Sequence, residues 1–148
     1  MIMKRTSEIT HKIMSSIKSK DTAPEMLLRK SLWKMKLRYR KNYKELTGKP
    51  DIVFLKAKIA IFCDGDFWHG HNWALRGLNS LDEELKQYSE FWQEKIKYNV
   101  ARDIKNNELL KNEGWLVIRF WESEIKKDPT KCALIVAEQY YLRATDTK

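Results

Sequence analysis

Asp51 stands at the head of the run Ile52-Val53-Phe54-Leu55, in which all four side chains are apolar. A carboxylate in such a place costs desolvation unless it is paired or binds a cation. Taken alone it reads as a strand-end or turn aspartate following Pro50. A second β-rich run, Ile59-Ala60-Ile61-Phe62, should lie beside it and delivers Cys63-Asp64-Gly65-Asp66-Phe67-Trp68-His69-Gly70-His71. Carboxylates next to an exposed main-chain carbonyl suit a hard, oxygen-seeking cation such as Mg2+. His69 and His71 open two further readings. Zinc wants four ligands, and the neighbours offer only Cys63, Asp64 and Asp66, with Cys132 isolated. A general base needs only one imidazole beside a bound water, and His69 can supply that alone. The plain alternative is a loop histidine that makes a hydrogen bond.

Other residues could join this chemistry. At about 100° per residue, Tyr88, Trp92, Lys95, Asn99 and Asp103 fall on one side of a helix, bordered by Ile96 and Val100. Either this is a solvated, salt-bridged face, or it is a polar row that reaches a phosphate or orients His69. Glu25 sits three residues after Thr22, where it completes a capping box, and it also lies at the edge of its helix's apolar face. Phe67 and Trp68 lie between Gly65 and Gly70. Such a pair either stands exposed, able to wedge between stacked bases, or folds back over the core.

Charge narrows the class of partner. The 148 residues carry a net charge of +9, yet residues 1–50 alone hold 14 Lys/Arg against 4 Asp/Glu. The remainder is close to neutral. That asymmetry points to a polyanion, and a nucleic acid suits it better than a membrane. Residues 1–20 offer only Ile9, Ile13, Met14 and Ile17 as an apolar face, without an aromatic anchor. With 43% hydrophobic residues the chain can bury a core, which excludes a disordered protein. No apolar run is long enough for a membrane span, and two cysteines make no disulfide framework, so a cytoplasmic, nucleoid-associated location is expected.

The elements that must position these residues follow from patterning. Residues 1–20 read as a basic flexible arm and 21–148 as a single domain. Thr22-Ala23-Pro24-Glu25 starts a helix whose Leu27, Leu28, Ser31, Leu32 and Met35 share a face. Residues 38–43 look extended, and 51–55 with 59–62 read as a hairpin of buried strands around Lys56-Ala57-Lys58. Residues 63–80 look like loop. A long helix is expected from 81–84 past Asp103, with a break before Asn112 and an end at Gly114. Residues 115–120 read as a strand and 132–142 as a closing helix with Leu134, Ile135 and Tyr141 inward. The order is that of an α/β fold, a central sheet flanked by helices.

Taken together, the motifs resemble the very short patch repair (Vsr) endonucleases, bacterial enzymes that nick DNA beside a T·G mismatch. The resemblance runs through Met14-Ser15, Ile17, Asp21-Thr22-Ala23-Pro24-Glu25 and Gly48-Lys49-Pro50-Asp51-Ile52-Val53. It continues through Phe67-Trp68-His69-Gly70-His71, Phe91-Trp92-Gln93-Glu94-Lys95-Ile96, Asn99-Val100-Ala101-Arg102-Asp103, Gly114-Trp115 and Trp121-Glu122. It implies a restriction-endonuclease-like core with a mixed sheet, and Mg2+ held by Asp51 with the main-chain carbonyl of Cys63. It implies His69 as the base, with Glu25, Asn99 and Asp103 around the metal waters. Phe67, Trp68 and Trp92 would be the wedge, Lys95 would face the DNA, and the basic arm, including Lys18 and Lys20, would hold phosphates of the duplex. The implied partners are double-stranded DNA, mismatch-repair proteins and a cytosine methyltransferase, with no membrane. Two departures stand out. The family typically has His where this chain has Asp64, which could instead add a second carboxylate for metal. Its structural zinc uses places that here hold Asp66, Trp73 and Ser123, with only His71 kept, so no zinc is expected and Trp73 is expected to pack the loop.

Overall fold

The computed structural model describes residues 21–146; the arm, with Lys18 and Lys20, lies outside the described residues. Helix α1 (Ala23–Lys34) starts where its cap is written. Thr22 is extended, its Oγ1 accepts the Glu25 N–H at 3.4 Å, and Pro24 lies in the first turn. The capping box is not completed. The Glu25 carboxylate is buried and accepts instead from the Asp21 N–H at 2.8 Å and from Arg29 at 2.7 Å. Of the expected apolar face, Leu28 and Leu32 are fully buried, whereas Leu27 is exposed, one position off the stripe.

Strands β1 (Arg40–Lys41), β2 (Ile52–Phe54), β3 (Ile59–Asp64) and β4 (Leu116–Trp121) form one mixed sheet in that order. The first two pairings are antiparallel and the β3–β4 pairing is parallel. The hairpin is as the two apolar runs require. Its alternation splits the core: Ile52, Phe54, Ile59 and Ile61 face α1, while Val53, Ala60 and Phe62 face the other layer with Leu110.

The crossover from β3 to β4 departs from expectation. The stretch expected as loop contains α2 (Asn72–Leu75), and the expected long helix is two: α3 (Leu81–Leu85) and α4 (Glu90–Asn112). The chain turns at residues 86–89, where Ser89 is extended, and this drives Leu85 and Tyr88 into a separate aromatic cluster. There is no break before Asn112. α4 ends as expected, with Gly114 at φ +87° and the Trp115 N–H donating to the Leu110 carbonyl at 3.0 Å.

After β4 come α5 (Glu122–Lys127), which patterning missed, and α6 (Pro129–Asp146). α6 turns Cys132, Ala133, Val136 and Ala137 inward, not Leu134, Ile135 and Tyr141, which are exposed. The small side chains let α6 pack closely on α1. Among the described residues no helix is long and apolar enough to cross a membrane.

Candidate active site

The end of β3 and the start of β2 meet on one edge of the sheet, and α4 lies across it. The Asp51 backbone N–H donates to the Ile61 carbonyl at 3.0 Å, and its Oδ2 accepts the Cys63 N–H at 2.7 Å. In a strand the N–H and C=O of one residue point the same way, which puts the Cys63 carbonyl on the β2 side of β3. Among the described residues no lysine or arginine pairs with Asp51. Burial pushes its carboxyl up to about 8, and Glu25 and Asp64 push the same way against the Cys63 N–H. This donor set, a desolvated carboxylate without a counter-cation beside a carbonyl and a second acid, fits a hard divalent cation.

A cleft of about 280 Å3 is lined by Glu25, Asp51, Cys63, His69, Lys95 and Asn99 among others. A second, of about 460 Å3, adds Asp64, Asp103 and Arg119, and Asp51, Cys63, His69 and Arg102 line both. His69 Nδ1 bonds Asp103 Oδ2. Burial raises the Asp103 carboxyl, but the His69 bond and the charges of His69, Arg119 and Arg102 outweigh it and hold the group below the usual carboxylate range. An ionised Asp103 at Nδ1 favours the neutral tautomer that carries its proton there, with Nε2 turned toward Asp64 Oδ1 at 3.8 Å. Asn99 donates to the Trp68 carbonyl at 3.1 Å, and its buried Oδ1 has no partner. Of the polar row on α4, Asp103 bonds His69 and Asn99 bonds the neighbouring Trp68 carbonyl.

Asp64, which the sequence offers as a second metal carboxylate, is paired with an arginine. Arg119 Nη1 donates to both of its oxygens at 3.1 Å. Its carboxyl is raised by burial, with His69 and Arg119 pulling the other way. Asp64, His69 and Asp103 offer ligand atoms all within 4.8 Å of one another, a cluster of the kind that could hold a metal ion. Sequence reading missed Arg119. The signal was there: a lone charge inside the apolar strand Leu116–Trp121 needs a buried acid opposite it.

Comparison with known proteins gives the family. The family model "DNA mismatch endonuclease Vsr" matches residues 4–75. The type II nicking enzyme V.HpaIIP of Haemophilus parainfluenzae is 43% identical over 141 residues, covering 95% of this chain and 96% of that protein. The type II nicking enzyme V.NmeDIP of Neisseria meningitidis serogroup C is 47% identical over 128 residues, 86% and 83% of the two chains. The chain belongs to the Vsr family of DNA endonucleases. The DNA mismatch endonuclease Vsr of Escherichia coli K12 is more distant, at 35% identity over 115 residues, 78% of this chain and 70% of that one.

In this Vsr-family chain the aromatic loop folds back. Phe67 is 8% and Trp92 5% exposed, and with Tyr88 they form edge-on contacts at centroid distances of 5.1 and 6.0 Å from Phe67. An exposed pair is therefore not what the loop presents; Trp68 alone is half-buried and lines the smaller cleft. Gly70 permits the fold-back, since it turns at φ +73° and a Cβ there would meet Val100 and Leu81 at 3.1–3.2 Å. The ring on the surface is Phe91, 64% exposed and 5.0 Å from Trp92, to which patterning gave no role.

The places that the resemblance assigns to zinc are joined by hydrogen bonds. Asp66 Oδ1 takes His71 Nδ1 at 2.7 Å and Ser123 Oγ at 2.8 Å, its Oδ2 takes the Ser123 N–H at 3.1 Å, and His71 stacks on Trp121 at 4.1 Å. Trp73 enters through its backbone, donating to the buried Glu84 at 2.6 Å. Asp66 is the hydrogen-bonded centre of these places.

Proposed function

We propose that this chain nicks duplex DNA beside a T·G mismatch on the T strand, with Mg2+ held by Asp51 and the Cys63 carbonyl. The observation that carries it is the desolvated Asp51, which pairs with no lysine or arginine among the described residues, in the larger cleft shared with the His69–Asp103 pair. Such an ion supplies Lewis-acid stabilisation of charge on the phosphate and the leaving oxygen. The rest falls to the chain. His69 Nε2 takes the proton of the attacking water, and Asp103 holds the imidazolium that forms. Glu25, fixed by Arg29, and Asn99 with its open Oδ1 orient water in the smaller cleft. Lys95 and Arg102 line the mouth and meet phosphates, as Lys18 and Lys20 of the arm would. Trp68 is the ring poised to enter the base stack, with Phe67 and Trp92 behind it.

The test is purified protein with Mg2+ and matched or T·G-mismatched duplexes. Nicking confined to the mismatch supports the proposal. Equal cutting of both would make the chain a restriction-type nuclease, and binding without cutting a DNA-binding module.

A further inference from the structure

We propose that Arg119 is a built-in cation, a positioning residue that closes the Asp64–His69–Asp103 cluster to metal and holds it in the geometry His69 needs. This rests on the reading above and deepens it: the chain works with one metal locus, at Asp51. Two carboxylates and an imidazole with ligand atoms within 4.8 Å of one another call for positive charge. At Asp51 no lysine or arginine among the described residues supplies it. At the cluster Arg119 does, from 3.1 Å to each oxygen of Asp64 and 3.7 Å to Asp103.

The guanidinium is fixed from three sides. Its Nε donates to Asn107 on α4 at 2.7 Å, its plane lies 4.0 Å over the Phe62 ring, and its Nη1 faces the acids. Its Nη2 is buried without a partner, so charge neutralisation rather than full hydrogen bonding accounts for its place. The parallel register leaves little choice. Arg119 is opposite Phe62 and Trp121 opposite Asp64, so Arg119 and Asp64 project from the same face of adjacent strands. A divalent ion added to this cluster would sit within a few ångströms of a fixed guanidinium, and their repulsion excludes it.

Mn2+ is the probe, titrated into the full chain and followed by electron paramagnetic resonance and calorimetry. Wild type should bind one ion per chain, Asp51→Asn none, and Arg119→Lys, which keeps the charge, one. Arg119→Met should bind two, and adding Asp64→Asn to it should remove the second. A folded Arg119→Met that gains no site overturns the proposal, as does a wild type with two sites, one of them lost in Asp64→Asn. Should Arg119→Met fail to fold by circular dichroism, Asp64→Asn alone decides: unchanged stoichiometry supports the proposal and loss of an ion overturns it. Cleavage gives the rescue. Arg119→Lys should keep at least about tenfold more activity than Arg119→Met, and equal losses would remove the positioning role. A wild type that binds no Mn2+ would instead sink the Asp51 assignment, with the gain in Arg119→Met then read on its own.

Discussion

Replacing Asp51 with asparagine should abolish cleavage and, at the same time, stabilise the fold. The carboxyl ionises near 3.8 when exposed and near 8 in the folded chain, chiefly because burial penalises its charge. Between those pH values unfolding releases a proton, so the group's contribution to stability is intact below pH 3.8, falls as pH rises and is fully lost above about 8. At about 1.36 kcal/mol per unit, the interval sets a ceiling of ~6 kcal/mol on the penalty that asparagine would relieve. Water in the cleft reduces this, and the asparagine carbonyl can still accept the Cys63 N–H. A gain of ~2 kcal/mol at pH 8 remains, or about 4–8 °C in Tm for a domain of this size. At pH 5 the gain should be smaller, because the folded carboxyl is then more fully protonated and its burial costs less. Thermal melts in a chelator at pH 5 and 8 measure both, and Mg2+ should raise the Tm of wild type alone. An Asp51→Asn chain that is less stable than wild type at pH 8, that gains equally at both pH values, or that still cuts at the wild-type rate would refute the reasoning.

Four further outcomes follow from the geometry. His69→Gln should slow single-turnover nicking by ~10²–10⁴-fold while duplex affinity, measured by fluorescence anisotropy, stays within about threefold. Asp103→Asn should cost at least ~10²-fold in the same nicking assay, because an amide facing Nδ1 favours the tautomer that has no base at Nε2. Asp66→Ala removes the hydrogen bonds that tie His71 to Ser123 and should cost ~1–3 kcal/mol in urea unfolding, with a fall in nicking rate as the His69 loop loosens. Leu32→Ala, at a fully buried site, should cost ~2–5 kcal/mol in the same unfolding assay, and its failure to do so would mean that α1 is not seated on the sheet as described.

What could be read in the sequence was local. Thr22 and Pro24 write the start of α1, and the two apolar runs around Lys56–Lys58 write the hairpin, because capping and alternation act within a few residues. Asp51, His69 and Asp103 were legible as a group because strand ends and i, i+4 steps fix them on their own elements. The turn at 86–89 was not, since Lys86 and Gln87 continue a helical pattern and only the burial of Tyr88 in the aromatic cluster explains the bend. Nor was the inner face of α6, where apolar residues stand on both sides and close packing on α1 selects Ala133 and Ala137 over Leu134 and Ile135. The Phe67–Trp68 loop carried both readings in its sequence, and the choice between them depended on Trp92 and Tyr88 arriving from distant segments.

The two departures from the family pattern belong to one seam. Asp64 and Asp66 leave the end of β3 two residues apart, and each is answered from β4 or just beyond it, by Arg119 and by Ser123. The parallel register, which sets Asp64 opposite Trp121, places both partners within reach. Trp121 itself covers His71 by stacking. In both places a carboxylate meets side-chain or backbone donors of this chain. Pairing of that kind spares β3 and the His69 loop from depending on metal for their geometry. It also concentrates the unmet demand for positive charge at Asp51, which precedes β2 on the other side of β3. Removing metal should therefore silence the nuclease without unfolding the loop that carries His69.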